Sequence, residues 1–216
     1  MIRVVIADDH TILREGLKQL LQAADDLNVV GEAADGHDVL REVRSREFDV
    51  LLLDMSMPGK SGMELIKQVK AERPKLRVLV LSMHEEHQYA VRAIRAGASG
   101  YLTKESASTL LVTAIRKVAG GGAFISAEVA EQLALSAMPH AEGAPHASLS
   151  DREYQVFRLL VAGAAVTQIA LQLNLSTKTV STHKARLMDK LSIDNPADLV
   201  RYADKHGLSD DPNSPR

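Results

Sequence analysis

The sequence predicts an α/β unit built on an open, doubly wound sheet of five parallel strands, followed by an all-α unit of four helices. Three observations lead there. The first 120 residues alternate short apolar runs with segments of helical period. Several of those runs are apolar throughout, as parallel strands covered on both faces are. Beyond residue 148 only helical signals occur.

The strands are expected at Ile2–Ala7, Val29–Ala33, Val50–Leu53, Val78–Leu81 and Gly100–Thr103. Between the first two, Ile12, Leu13, Gly16, Leu17, Leu20 and Leu21 recur at helical spacing, as do Met63, Ile66 and Val69 after the third. The βα pattern repeats five times, which fits a doubly wound sheet. The last of these helices, Ala107–Val118, should stop at Gly120-Gly121-Gly122. Ala127–Ala137 reads as a joining helix, and Met138–Ser148, with two prolines and no periodicity, as a linker. Ser150 and Glu153 have capping-box spacing ahead of Val156, Phe157, Leu160 and Val161, and Gly163 ends that helix. A short second helix carries Ile169, Ala170 and Leu173. Ser176 caps a third that runs to Leu191, and Asn195-Pro196 opens a fourth. The expected boundaries are 1–122 for the α/β unit, 123–147 for the joining helix and linker, 148–208 for the helical unit and 209–216 for a flexible tail.

Composition narrows the chemistry. At 216 residues the chain suits two small domains better than one large one. Hydrophobic residues at 45% and charged residues at 25% exclude a wholly disordered chain. Aromatic residues are only 3%, with no Trp, which disfavours single-stranded nucleic acid held by base stacking. With no Cys there is no disulfide framework, thiolate zinc site, iron–sulfur cluster or cysteine nucleophile. No apolar run approaches a membrane span and no signal peptide is evident, so a soluble, cytoplasmic protein is expected. The net charge of −2 divides unevenly: residues 1–147 hold 17 Lys and Arg against 20 Asp and Glu, residues 148–216 hold 9 against 8. Ser176–Lys190 carries Lys178, Lys184, Arg186 and Lys190 against Asp189 alone, a local excess suited to a polyanion.

Five polar residues fall at strand ends: Asp8 and Asp9 after the first strand, Asp54 after the third, Ser82 after the fourth and Lys104 after the fifth. In an open parallel sheet the carboxyl ends of the strands meet at one edge, where ligands bind. Taken singly, Asp8-Asp9 reads equally as a solvated turn and Lys104 as a surface lysine; the ordered set argues against coincidence. Three converging carboxylates repel unless a cation sits among them, and hard oxygen ligands without Cys or His indicate Mg²⁺. A carboxylate beside Mg²⁺ can attack phosphorus and form an aspartyl phosphate. Asp54 is the best nucleophile, Asp8 and Asp9 would hold the metal, Lys104 would pair with the phosphoryl group and Ser82 would hydrogen-bond it.

At these residues the sequence resembles the receiver domain of two-component response regulators. The resemblance spans residues 1–120 and rests on Asp8-Asp9, Asp54 followed by Met57-Pro58-Gly59, Ser82, and Lys104 after Gly-Tyr-Leu-Thr. It implies a flavodoxin-like sheet, phosphorylation of Asp54 by a sensor histidine kinase, and Mg²⁺ held by Asp9, Asp54 and the backbone carbonyl of Ser56, with Asp8 contacting it mainly through water. It also implies that Ser82 and Tyr101 act as a switch pair, the hydroxyl moving toward the phosphate and the ring following inward. Tyr101 reads equally as a half-buried aromatic on an edge strand. Where many receivers have Lys-Pro, this chain has Lys104-Glu105, so no cis-proline turn is expected there.

In the helical unit, the second and third helices, Val166–Asn174 and Ser176–Leu191, are separated by a very short turn, as in a helix-turn-helix. At 100° per residue Val180, Leu187 and Leu191 form one seam, and Lys178, Ser181, Thr182 and Ala185 lie opposite it. That small polar face suits a major groove, with Lys184 and Arg186 reaching phosphates on either side. A solvated face on an ordinary bundle would look similar. The run Leu149-Ser-Asp-Arg-Glu153, with Gly163, Ile169-Ala170, Leu173, Leu175-Ser176, Thr179-Val180, His183 and Lys190-Leu191, resembles the LuxR-type DNA-binding domain. Receiver plus this domain is the NarL/FixJ class. His183 reads as a packing or phosphate-contacting residue. Two departures bear on target choice: Ala165-Val166-Thr167-Gln168 stands where the family commonly has Ser-Asn-Lys-Glu, and Ser181 where a lysine is frequent.

The expected function is therefore a phosphorylation-controlled transcription regulator that binds double-stranded promoter half-sites, dimerises on activation and is not an enzyme. A phospho-dependent protein-interaction adaptor is the alternative. A Mg²⁺-dependent phosphatase is disfavoured because Ser56 occupies the position of the general acid that such enzymes place two residues after the nucleophile.

Overall fold

A computed structural model of the chain describes residues 1–57, 62–82, 87–136 and 145–208. Two compact units, Met1–Leu135 and Ser136–Arg216, divide the chain.

The first unit alternates strand and helix in the order β1 (Ile2–Ala7), α1 (Thr11–Gln22), β2 (Leu27–Ala33), α2 (Gly36–Ser45), β3 (Val50–Asp54), α3 (Gly62–Glu72), β4 (Arg77–Ser82), α4 (His87–Ala96), β5 (Gly100–Thr103) and α5 (Lys104–Ala119), then α6 (Ala127–Ser136). All strand pairs are parallel, in the spatial order β2-β1-β3-β4-β5. Alternation along the strands splits the core in two. Val5, Ala7, Leu51, Leu53, Val78 and Val80 pack with residues of α2, α3 and α4 on one face, including Val39, Ile66 and Ala93. Val4, Ile6, Val50, Leu52, Leu79 and Leu81 pack with α1 and α5 on the other, including Leu17, Leu21, Leu111 and Ile115. Both faces are covered, which is why the strands read as unbroken apolar runs. The β2, β3 and β4 ladders extend one or two residues beyond the apolar runs, since backbone pairing tolerates polar ends such as Asp54 and Ser82. The free edge of β5 is closed by the segment after α5: Tyr101 N–H donates to the Phe124 carbonyl at 2.8 Å, and Phe124 N–H to that of Ser99 at 3.1 Å.

In the second unit the predicted linker ends earlier than its composition suggests. Residues 137–144 lie outside the described residues, but Pro145–Ser148 form a 3₁₀ turn whose His146 is only 4% exposed. Its backbone N–H donates to the Tyr202 hydroxyl at 3.2 Å, and its Nδ1 lies 3.0 Å from the same oxygen. Four helices follow: α7 (Asp151–Val161), α8 (Val166–Gln172), α9 (Thr177–Leu191) and α10 (Pro196–Lys205). The capping box of α7 forms as the spacing predicts: Glu153 N–H donates to Ser150 Oγ, and Ser150 N–H to Glu153 Oε2 at 2.8 Å. Gly163, at φ +83, ends α7 with Ala164 N–H bonded to the Leu159 carbonyl. Between α8 and α9 the turn needs a left-handed residue, and Asn174 supplies it at φ +53, with Leu175 N–H reaching back to the Ala170 carbonyl at 2.8 Å. Here α8 ends two residues before the predicted Asn174, because that residue turns the chain.

Candidate phosphoacceptor pocket and recognition helix

The strand order reverses between β1 and β3, so the chain departs in opposite directions from neighbouring strand ends and leaves a crevice there. Asp8 follows β1 and is held in the ladder by its N–H on the Ala33 carbonyl at 3.1 Å. Asp54 is the last residue of β3. Both are essentially inaccessible, at 0% and 1%. Lys104 opens α5 from across the sheet, and its ammonium lies 2.8 Å from Asp8 Oδ2 and 2.9 Å from Asp54 Oδ2. For each of these oxygens that ammonium is the one partner among the described residues. The opposite oxygens are engaged by backbone: Asp54 Oδ1 accepts from Ser56 N–H at 3.0 Å, and Asp8 Oδ1 from His10 N–H at 2.7 Å.

Burial pushes the Asp54 carboxyl above its ordinary value, and the Asp8 charge adds to this; the Ser56 amide and the Lys104 ammonium oppose them without cancelling. Burial alone would lower the Lys104 ammonium, but its hydrogen bonds and charge attraction to Asp8 and Asp54 outweigh that and raise it. The lysine is therefore held charged between two carboxylates.

Asp9, with its side chain 32% exposed, completes the acidic group. Asp8, Asp9, His10 and Asp54 each offer a ligand atom, all within 4.8 Å of one another. Three carboxylates against one ammonium leave two negative charges, which one divalent cation would balance. The donor set therefore fits a metal ion. His10 is the member that the strand-end argument overlooked, although it directly follows Asp8-Asp9. Arg14 Nη1 was also overlooked; it donates to the Asp8 carbonyl at 2.6 Å from one turn along α1.

Ser82 is buried (1%) at the end of β4, where it pairs in register with Thr103. Tyr101, in register with Val80, is 8% exposed and packs in the core with α4, more deeply than a half-buried edge-strand residue would. Ser56 is exposed in the turn after β3. Of the Met57-Pro58-Gly59 loop, Met57 is buried, and positions 58 and 59 lie outside the described residues.

In the second unit α9 divides as its periodicity requires. Val180, Leu187 and Leu191 are buried, at 0%, 0% and 6%. Lys178, Ser181, Thr182, Ala185 and Arg186 are exposed and Lys184 partly so. Ser176 caps the helix by accepting from Thr179 N–H at 3.0 Å. Thr182 Oγ1 donates to the Lys178 carbonyl at 3.0 Å, which fixes the hydroxyl's proton and leaves its lone pairs outward. Lys190 is withdrawn from the basic face: its ammonium lies 2.7 Å from Glu153 Oε2 and 3.1 Å from the Ser148 carbonyl. Lys178, Lys184 and Arg186 make no ion pair among the described residues. At the start of α8, Ala165 offers no side-chain cap, but its N–H is satisfied by Gln168 Oε1 at 2.9 Å, so half of a capping box survives the departure from Ser-Asn-Lys-Glu. His183 is partly buried, its Nδ1 has no partner among the described residues, and burial lowers its pKa. That environment is one of packing. No described helix is long and apolar enough to cross a membrane.

Comparison with known proteins bears on both units. Residues 4–116 match the response regulator receiver domain family, and residues 147–203 match the luxR family of bacterial regulatory proteins. The response regulator UvrY of Escherichia coli K12 is 38% identical over 209 residues, covering 96% of either chain. The response regulator GacA of Pseudomonas aeruginosa is 38% identical over 211 residues, covering 97% of this chain and 99% of its own. Among solved structures, RcsB of Salmonella enterica serovar Typhimurium, bound to promoter rprA in the presence of phosphomimetic BeF3⁻, superimposes with a TM-score of 0.67 at 32% identity, covering 94% of this chain and 98% of that one. An acidic pocket at the switch point of a doubly wound sheet, a helix-turn-helix with an exposed polar face, and kinship along nearly the whole length agree: the chain belongs to the response regulators of the NarL/FixJ class, DNA-binding transcription regulators that join a receiver domain to a LuxR-type domain.

Proposed function

We propose that Asp54 is the phosphoacceptor through which a sensor histidine kinase controls promoter binding by α9. The observation that carries this reading is the Lys104 ammonium shared between the buried Asp8 and Asp54 carboxylates. An Asp54 oxygen attacks the phosphoryl group of a phosphohistidine; the new O–P bond forms as the N–P bond breaks, and the imidazole leaves. Lys104 then exchanges a carboxylate oxygen for a phosphoryl oxygen, and Ser82 donates to another. Asp8, Asp9, Asp54 and the backbone carbonyl of Ser56 would hold Mg²⁺, whose charge would neutralise the phosphoryl oxygens. The added charge biases a two-state element around Ser82 and Tyr101. The consequence is a homodimer whose paired α9 helices meet two half-sites about one DNA turn apart. Lys178, Ser181, Thr182 and Ala185 face the bases, and Lys184 and Arg186 serve affinity. The boundaries proposed for the two functions are residues 1–122 and 148–208.

Labelling by acetyl phosphate with Mg²⁺ tests the acceptor: Asp54→Ala is expected to abolish it, and undiminished labelling overturns the assignment. Mobility shifts with genomic DNA fragments across a salt series test the output. Binding that is absent, or insensitive to salt, would instead indicate a protein-interaction adaptor.

A further inference from the structure

His10 stands at the N-cap of α1, but its side chain makes no capping hydrogen bond. Nor is it packed, since the side chain is 66% exposed. What it does face is the acidic pocket: Nδ1 lies 2.9 Å from Asp9 Oδ1 and 3.2 Å from Asp8 Oδ1. Asp8 is therefore shared, with the Lys104 ammonium on Oδ2 and the His10 ring on Oδ1. The ligand atoms of Asp8, Asp9, His10 and Asp54 lie within 4.8 Å of one another. Ligands on opposite sides of one ion at bonds of about 2.1 Å are about 4.2 Å apart, so a small closure of these groups would suffice.

We infer that His10 Nδ1 is a nitrogen ligand of this pocket, giving it a mixed nitrogen and oxygen donor set that takes a first-row divalent transition ion, Mn²⁺ among them, in preference to Mg²⁺. This rests on the reading of the pocket as a metal site. Mg²⁺ is a hard ion that holds its waters and gains little from an imidazole. Transition ions gain a stronger bond to the ring nitrogen. The ring binds in its neutral form, with the proton on Nε2 and the Nδ1 lone pair turned to the ion, so Nδ1 gives up its contact with the two aspartates. Nothing else among the described residues holds the side chain in place, and its exposed position leaves it free to make that adjustment.

The full-length chain can be titrated with Mg²⁺ and with Mn²⁺ by calorimetry, as wild type and as His10→Ala and His10→Gln, with pulsed electron paramagnetic resonance on the Mn²⁺ samples. The wild type should bind Mn²⁺ more tightly than Mg²⁺ and show the ¹⁴N modulation of a coordinated imidazole. Both variants should lose that modulation and at least about tenfold in Mn²⁺ affinity, a loss that removing even an outer-shell partner produces, while Mg²⁺ affinity changes less than twofold. Mg²⁺ binding with no nitrogen modulation from wild-type Mn²⁺, modulation that persists in both variants, or equal losses for the two ions would overturn the role of His10 and leave the metal site standing. Failure of the wild type to bind either ion would overturn the metal site itself, and this inference with it.

Discussion

Replacing Lys104 with methionine removes the ammonium that lies between two carboxylates buried from solvent. The lysine side chain is 7% exposed and those of Asp8 and Asp54 are at 0%. At separations of 2.8 and 2.9 Å and an effective dielectric near 20, each attraction is worth about 6 kcal/mol before desolvation. Desolvation takes back much of that, and removing one member of a buried ion pair is expected to cost about 3–5 kcal/mol. Protonation of Asp54, already favoured by burial, limits the loss. Lys104→Met should therefore lower the stability of the receiver unit by about 3 kcal/mol in metal-free buffer at neutral pH. Adding Asp54→Asn should recover most of it, because one buried negative charge then goes. Urea denaturation of the four chains of this double-mutant cycle, with and without Mg²⁺, measures both effects. A Lys104→Met loss below about 1 kcal/mol, or purely additive effects of the two substitutions, would refute the reasoning from buried charge.

Other consequences concern the DNA-binding unit. Leu187 is fully buried at the centre of the α9 seam, so Leu187→Ala should cost about 2–5 kcal/mol by denaturation, whereas Ser181→Ala should leave stability within about 0.5 kcal/mol and alter only the preferred DNA sequence. Tyr202→Phe leaves the His146 N–H and Nδ1 without the hydroxyl that serves both, and should cost about 1–3 kcal/mol. Burial alone would raise the Glu153 carboxyl, but the Lys190 ammonium and the Ser150 groups outweigh it and hold it below its ordinary 4.5. A depressed folded value means that its contribution is complete above 4.5 and is lost as pH falls through the folded value. Glu153→Gln should therefore flatten the acid limb of a thermal-melt series below about pH 4.5. For Lys184→Ala or Arg186→Ala, each phosphate contact removed should reduce the slope of log affinity against log salt by about 0.9 in magnitude, with little change in sequence preference.

Much of the receiver was legible because its signals are local and additive. Strands buried on both faces must be apolar throughout, and five such runs separated by helical periods leave few topologies. The convergence of Asp8, Asp54 and Lys104 followed from the same logic, since a parallel sheet gathers its strand ends at one edge. In α9 a 100° periodicity separated the Val180, Leu187 and Leu191 seam from the outward face for the same reason. Boundaries were less legible: the ladders of β2, β3 and β4 run past their apolar cores, and α8 stops short because Asn174 adopts a left-handed turn that composition does not announce.

Pairings between distant residues have no periodic signature. Nothing in the spacing of Lys190 and Glu153 shows that the lysine is spent on a buried carboxylate 37 positions away and so lost to the basic face. His146 sits in a proline-rich stretch whose composition reads as linker, yet Tyr202, 56 positions on, draws it into the core of the helical unit. His10 joined the acidic pocket only once the turn after β1 had aimed its ring at Asp8 and Asp9. By itself the sequence determined the two architectures, the gathered acidic residues and the exposed face of α9, because hydrophobic period and strand direction are written residue by residue. Which ammonium bridges which carboxylates, and which side chains remain free to meet a metal ion or a phosphate, was decided only by the tertiary structure, because those pairings depend on where burial removes water from charges that are far apart in the chain.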